Sequence, residues 1–229
     1  MALMNDFTER VEDINAYFDI LSFEDAVETY KKKPITNSDQ GQQLLISNTM
    51  QKCMRANAII MLYNLVESTF SNCVQLIYDA ISDEHLTYSD VSHKLRKVWI
   101  DLAFDPQWHI DAIRHHAKDY SDNLHTSVLT YSEMPAGTSG NLDFSKMVEI
   151  SEKFDINFGH VPDVEDIKTT LQYLKKNRND LAHGNTTFSY VGANISFTEL
   201  NDHKKHTIVF LQHCIGVYNQ YILQKKYKI

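Results

Sequence analysis

Little in this chain bends or breaks a helix. Of 229 residues only seven are glycine and four are proline, too few to punctuate many short strands, which argues for long helices. Cysteine is equally sparse. Cys53, Cys73 and Cys214 are odd in number, widely spaced and set in apolar surroundings, which speaks against a disulfide frame or a zinc knuckle and predicts reduced core thiols. The longest apolar run, Ala58–Tyr63, falls far short of the roughly 20 residues that cross a bilayer. Met1–Arg10 holds Asn5, Asp6 and Glu9 instead of the basic and then apolar opening of a secretory signal. A soluble, cytoplasmic protein with no membrane partner is expected. Positive charge is also in deficit, since 22 Lys and Arg against 30 Asp and Glu leave a net charge of −8 with histidine neutral. That disfavours a protein that coats nucleic acid non-specifically, but it allows a cleft with a locally positive lining. There is no internal repeat, low-complexity tract or Gly-rich phosphate loop.

What is present is helical periodicity and enough apolar material, 43% of residues, to bury a core. Phe7, Val11, Ile14, Phe18 and Leu21 predict an amphipathic opening helix from Met1 to about Tyr30, ended by Lys31-Lys32-Lys33-Pro34, a basic triplet read as a solvated helix end. Residues 1–43 are therefore read as an N-terminal helical extension of a single domain, 1–229. From about Leu44 to Ile81 one face carries Ala56, Ile59, Tyr63, Phe70, Val74, Ile77 and Ile81, the spacing of a central bundle helix. Ser89–Phe104 predicts another helix. Trp108–Tyr120 predicts a further one bearing His109, His115 and His116 beside Arg114 and Lys118. Adjacent histidines point about 100° apart on a helix and no Cys or acidic ligand sits at zinc-like spacing, so these are read as a polar surface, with no metal or cofactor expected. Ser121–Asn141 reads as loop. Asp143 is placed to cap a short helix, Phe144–Lys153, and Pro162-Asp163 to start the next in the same way. The β-prone pieces Thr186–Tyr190 and Asn194–Thr198, joined by Val191-Gly192-Ala193, predict a small hairpin near residues 186–198. His206–Tyr227 reads as the closing helix, with a basic, aromatic tail at Lys225–Lys228 read as frayed.

The most informative stretch is Lys175–Gly184. Ile167, Leu171, Leu174, Arg178 and Leu181 recur at steps of four, three, four and three, so Arg178 takes a slot on the apolar face. A guanidinium there demands a carboxylate, a phosphate or a wet cleft. Glu67 lies in the middle of the apolar face of the Leu44–Ile81 helix, with Asn64 three residues before it on the same side. Since a carboxylate is almost never buried unpaired, Glu67 is expected to meet Arg178, either to fix helix register or to orient the arginine for a phosphate. His183 precedes Gly184, the residue type that most often ends a helix left-handed, and so belongs to the last turn, where the dipole favours imidazolium by about 0.3–1 kcal/mol. Five residues at 100° each leave Arg178 and His183 about 140° apart. They converge only if the helix loosens or a second copy supplies one of them.

Arg178-Asn179-Asp180-Leu181-Ala182-His183 resembles the R-x4-H motif of the HEPN superfamily, all-α domains that are often metal-independent ribonucleases acting as dimers. The polar residue after the arginine, here Asn179, is also the family's habit. Leu62-Tyr63-Asn64-Leu65-Val66-Glu67-Ser68 and Gly140-Asn141-Leu142-Asp143 look like segments of the RiboL-PSP-type and MAE-type branch, part of the toxin–antitoxin and anti-phage repertoire of prokaryotes. The resemblance covers about residues 45–225 and implies an all-α, HEPN-like helical bundle. It further implies a homodimer in which two motif copies share one cleft, RNA as substrate, and an antitoxin or other defence-system protein as a partner. The residue inventory fits cleavage by the RNA's own 2′-hydroxyl. His183 can move protons, Arg178 can grip phosphate, Asn179 can hold the imidazole or a phosphate oxygen, and Asp180 is a solvated or supporting residue. Two other readings stay open: a non-catalytic HEPN-like module that binds RNA, a nucleotide or a protein, and a purely structural helical protein with Arg178–Glu67 as a core ion pair.

Overall fold

A computed structural model describes residues 2–29, 35–36, 43–44, 46–103, 127–129 and 141–229. Seven helices lie among them: α1 (Ala2–Thr29), α2 (Asn48–Asp83), α3 (His93–Ala103), α4 (Phe144–Lys153), α5 (Val164–Ala182), α6 (Phe188–Ala193) and α7 (Phe197–Leu223). Two two-residue strands, β1 (Ile35–Thr36) and β2 (Gln43–Leu44), pair antiparallel between α1 and α2. The architecture is the all-α bundle expected. The helix expected over Trp108–Tyr120, with its three histidines, and the Lys31–Lys33 triplet fall outside the described residues.

The chain forms two compact units. One comprises residues 1–67 and 163–210, the other 68–162 and 211–229.

In the first unit α1 buries Leu3, Phe7, Ile14, Phe18 and Leu21, the helical stripe its spacing dictates. The Tyr17 hydroxyl donates to the Met54 carbonyl at 2.9 Å, and Phe18 meets Phe197 at 6.3 Å between ring centres. Ala56, Ile59, Leu62 and Tyr63 of α2 are wholly buried, each large aliphatic or aromatic side chain contributing about 1.5–3 kcal/mol. From α5 come Ile167, Thr170, Leu171, Leu174 and Leu181. Asp163 does occupy the N-cap position, but with φ 52° and no side-chain cap hydrogen bond, so the expected carboxylate cap is not made. The backbone carbonyl of Asp163 receives the Ile167 N–H instead.

The hairpin expected near residues 186–198 is not formed. Thr187 accepts from the Tyr190 N–H and starts α6. Ser196 and Glu199 then cap each other, the Glu199 carboxylate accepting from the Ser196 N–H at 2.8 Å and the Ser196 hydroxyl accepting from the Glu199 N–H at 3.2 Å. This reciprocal box starts the closing helix at Phe197, nine residues before the expected His206. Local capping outweighed the β propensity of Phe188, Tyr190 and Ile195. The same box holds the Glu199 carboxyl below its usual range, chiefly through the Ser196 hydroxyl.

The seam between α5 and α7 within this unit is polar. The buried Thr170 hydroxyl lies 2.9 Å from His203 Nδ1 and 3.2 Å from His206 Nδ1, and Tyr173 stacks on His203 at 4.7 Å. Burial, then His206, depresses the His203 pKa, while Glu199 and Asp202 oppose the shift. Below the free-histidine value of about 6.5 the unfolded chain binds a proton that the native His203 resists. Stability is therefore present above that pH and is lost as pH falls through it. Thermal melts across this range should show a decline that His203→Gln flattens. An identical pH profile in that variant would remove His203 as the cause.

In the second unit Phe70, Val74, Ile77 and Ile81 of α2 are wholly buried. Phe70 packs edge-on to Tyr218 at 6.0 Å, whose hydroxyl meets Ser151 at 2.8 Å. Asp143 caps α4 as expected, accepting the Lys146 N–H at 2.9 Å. All three cysteines are free. Cys73 and Cys214 are buried but Cys53, in the first unit, is only half-buried, and burial lifts the Cys73 thiol to about 12. The tail expected to fray is docked: Tyr227 is buried, its hydroxyl and the Lys225 and Lys228 ammonium groups converge on Glu84, and Val91 bridges Lys228. Those contacts, led by Lys228, hold the Glu84 carboxyl down to about 2.

Candidate functional site

The site lies wholly in the first unit, at the C-terminal end of α5. Arg178 Nη2 donates to Glu67 Oε2 at 2.9 Å, the pairing that the two helical faces predicted. Their side chains keep 25% and 19% of their exposure, so the pair is half-buried and open to solvent, short of the sealed core ion pair. Two further groups fix the guanidinium. Its carbon sits 5.0 Å from the centre of the Tyr63 ring, a cation–π contact, and Nη1 donates to Asn179 Oδ1 at 3.1 Å. The sequence marks Tyr63 as a core residue and as part of the Leu62–Ser68 segment, without assigning it to the site. It lies four residues before Glu67, hence on the same face of α2, and that spacing was the available signal.

His183 is the C-cap of α5, with φ −88° and ψ 0°. Gly184 follows at φ 70°, where an L side chain is strained. The Gly184 N–H donates to the Leu181 carbonyl at 3.2 Å and the Asn185 N–H to the Asp180 carbonyl at 2.9 Å, the double closure that satisfies a helix's last acceptors. The imidazole is exposed and has no partner among the described residues.

Arg178, Glu67, Asn179 and Tyr63 are thus brought together, and His183 is not joined to them. The Asn179 side chain serves Arg178 rather than the imidazole, and only its backbone carbonyl reaches the His183 N–H, at 3.0 Å. Asn64, expected beside Glu67, is exposed on α2. It sits about 60° round the helix from Glu67, enough to turn it to solvent. Asp180 is half-buried and lines a groove of about 690 Å³ with Lys176, Asn177, Asn185, Thr187 and Tyr190. Neither Arg178 nor His183 belongs to that groove's lining. Among the described residues no group of three or more His, Cys, Asp or Glu side chains could hold a metal ion. Their helices include none long and apolar enough to cross a membrane.

The half-exposure of the ion pair sets the size of a prediction. Breaking a buried pair costs about 3–5 kcal/mol and an exposed one about 0–1. Glu67→Gln is therefore expected to cost roughly 1–3 kcal/mol. An unchanged melting temperature would show that the two charges are not coupled.

An all-α fold that presents an arginine held by a carboxylate, and an exposed histidine five residues later at the helix end, defines a HEPN-type domain. The family model for HEPN_MAE_28990-like HEPN proteins matches residues 1–227. The chain belongs to that family, a member of the MAE-type branch, and the match takes in the N-terminal helix that the resemblance had left out. No curated protein and no solved structure matches it.

Proposed function

We propose that the protein is a metal-independent endoribonuclease, a toxin or anti-phage effector that acts as a homodimer. HEPN domains are often ribonucleases. The single observation that carries the reading is that the last turns of one helix carry both an immobilised, solvent-open Arg178 and an exposed His183. A base takes the proton from the RNA 2′-oxygen, the O2′–P bond forms and the P–O5′ bond breaks. An acid then protonates the leaving 5′-oxygen, giving a 2′,3′-cyclic phosphate and a 5′-hydroxyl. His183 fits the proton transfers, and Arg178, oriented by Glu67 and Tyr63, fits the charge of the phosphorane. The test is incubation of purified protein with total RNA, tRNA included, in EDTA. Cleavage lost in EDTA and restored by magnesium contradicts the reading.

The dimer rests on geometry. One histidine is a thin supply of acid and base, and Arg178 faces α2 while His183 stands at the helix end. A two-fold axis would bring a second Arg178 and His183 opposite the first, making a local positive cleft on a chain of net charge −8. Mixing Arg178→Ala and His183→Ala chains under subunit exchange should rebuild activity if the two residues act from different chains. A monomer at micromolar concentration, with activity linear in protein, removes the dimer.

One observation favours a second reading. Arg178 already spends two of its donors on Glu67 and Asn179, which suits a non-catalytic module that binds RNA, a nucleotide or a partner such as an antitoxin. Phosphate binding without cleavage by the intact protein supports that alternative.

A further inference from the structure

The groove beside α5 was not foreseen and serves no part of the arrangement above. Tyr173, Lys176, Asn177 and Asp180 fall at steps of three, one and three, so they share one helical face. Arg178 lies about 150° away from that face's centre and His183 only about 70°. The opposite wall begins at Asn185, two residues after His183, and continues through Thr187 to Tyr190 and Asn194. A strand lying in the groove therefore runs on the side of α5 nearer His183, with Arg178 of the same chain on the far side of the helix.

The lining shows what kind of strand fits. Among the described residues Val191 is the one aliphatic side chain in it, and at 4% exposure it offers almost no surface to an apolar peptide side chain. The rest are amides, hydroxyls, two tyrosines and an offsetting Lys176 and Asp180. Asn177 and Asn194 each have Nδ2 tied to a backbone carbonyl, at 2.9 Å and 2.8 Å. This fixes their orientation and leaves each with an oxygen acceptor and a second N–H, the pair that a base edge matches. Tyr190 holds 67% of its surface exposed, an unusual position for a large ring and a fit for a base to stack on. With the two charges cancelling, recognition falls to the bases more than to the phosphates.

We propose that this groove is the subsite for single-stranded RNA flanking the cleavage point on the His183 side, with Tyr190 as its base-stacking residue. The proposal rests on the nuclease reading for its choice of strand, but its test does not need cleavage. The probe is a short 2′-O-methylated uridine oligomer, whose capped nucleophile cannot react, followed by fluorescence anisotropy at low salt. Tyr190→Ala is expected to weaken binding about tenfold or more, the scale of one lost base–aromatic stack, while Tyr190→Phe keeps it. The exposed ring makes these folded variants, checked by their melting temperature. Binding by Tyr190→Ala within about twofold of the parent, or no binding of the oligomer by the parent protein, overturns the proposal. Tyr190-dependent binding in a protein that cuts no unmodified RNA leaves the groove standing and removes the nuclease. RNA cleavage with binding unaffected by Tyr190→Ala does the reverse.

Discussion

His183→Ala and Arg178→Ala should each abolish RNA cleavage in EDTA while leaving the helical circular dichroism intact. Proton transfer by a positioned side chain contributes about 10²–10⁴-fold, and loss of a group aimed at developing charge costs a similar factor. The two variants should differ in stability. His183 is exposed and, among the described residues, is joined to the fold through its backbone alone, so alanine there is expected to leave the melting temperature near that of the parent. Arg178 sits against Tyr63, Glu67 and Asn179, so its removal takes the ion-pair partner from a half-buried Glu67 and costs some stability as well. Arg178→Lys separates the roles, since a lysine keeps the charge for Glu67 but not the planar fork. Stability recovered without activity would assign the fork to the phosphate. Full cleavage by His183→Ala would leave the proton transfers to another group and end the proposed mechanism.

Gly192→Ala is expected to have the largest effect on stability of any single methyl added to this chain's described glycines. A Cβ at Gly192 would overlap the backbone carbonyl of Lys52 and lie 2.9 Å from its Cα. Both partners are helical backbone, in α6 and α2, so neither yields as a flexible side chain would. Overpacking of this kind costs about 3 kcal/mol or more, or a melting temperature lower by roughly 6–12 °C for a chain of this size. The matched control is Gly216→Ala, also within a helix but with no other described residue inside 4 Å of the new methyl apart from its own helix. Its expected effect is neutral to stabilising by about 0.5–1 kcal/mol, because alanine loses less conformational freedom on folding. Equal melting temperatures for the two variants would mean that α6 does not press on α2. The contact also sets the wall carrying Tyr190 and Asn194, so Gly192→Ala should weaken the groove as well.

The periodic helices were legible because each buries a stripe that repeats with the helix itself. Phe7, Ile14, Phe18 and Leu21 in α1, and Ala56 through Ile81 in α2, needed only a count of spacing. The Asp143 cap and the Gly184 stop were legible for the same kind of reason, since each satisfies backbone groups a few residues away. Residues 186–198 were misread although the signals were equally local. Thr187 and the Ser196–Glu199 box outweighed a run of β-prone side chains, and Gly192 is required by a neighbour 140 positions earlier in the chain. The tail was misread because its partner, Glu84, lies far off in sequence.

By itself the sequence determined the helical class, the position of the R-x4-H motif at a helix end and the demand of Arg178 for a carboxylate. These follow from periodicity, backbone satisfaction and the cost of an unpaired charge, all of which act over one or two turns or on one residue. Only the tertiary structure decided that Glu67 meets that demand in a half-open setting, with the Tyr63 ring against the guanidinium and Asn64 turned away. It alone decided that Thr170 lies between two histidines, and that α5 and α6 leave a polar groove between Tyr173 and Asn194. These depend on the angle and depth at which helices pack, and packing is set by the shapes of side chains far apart in sequence, which no local pattern carries.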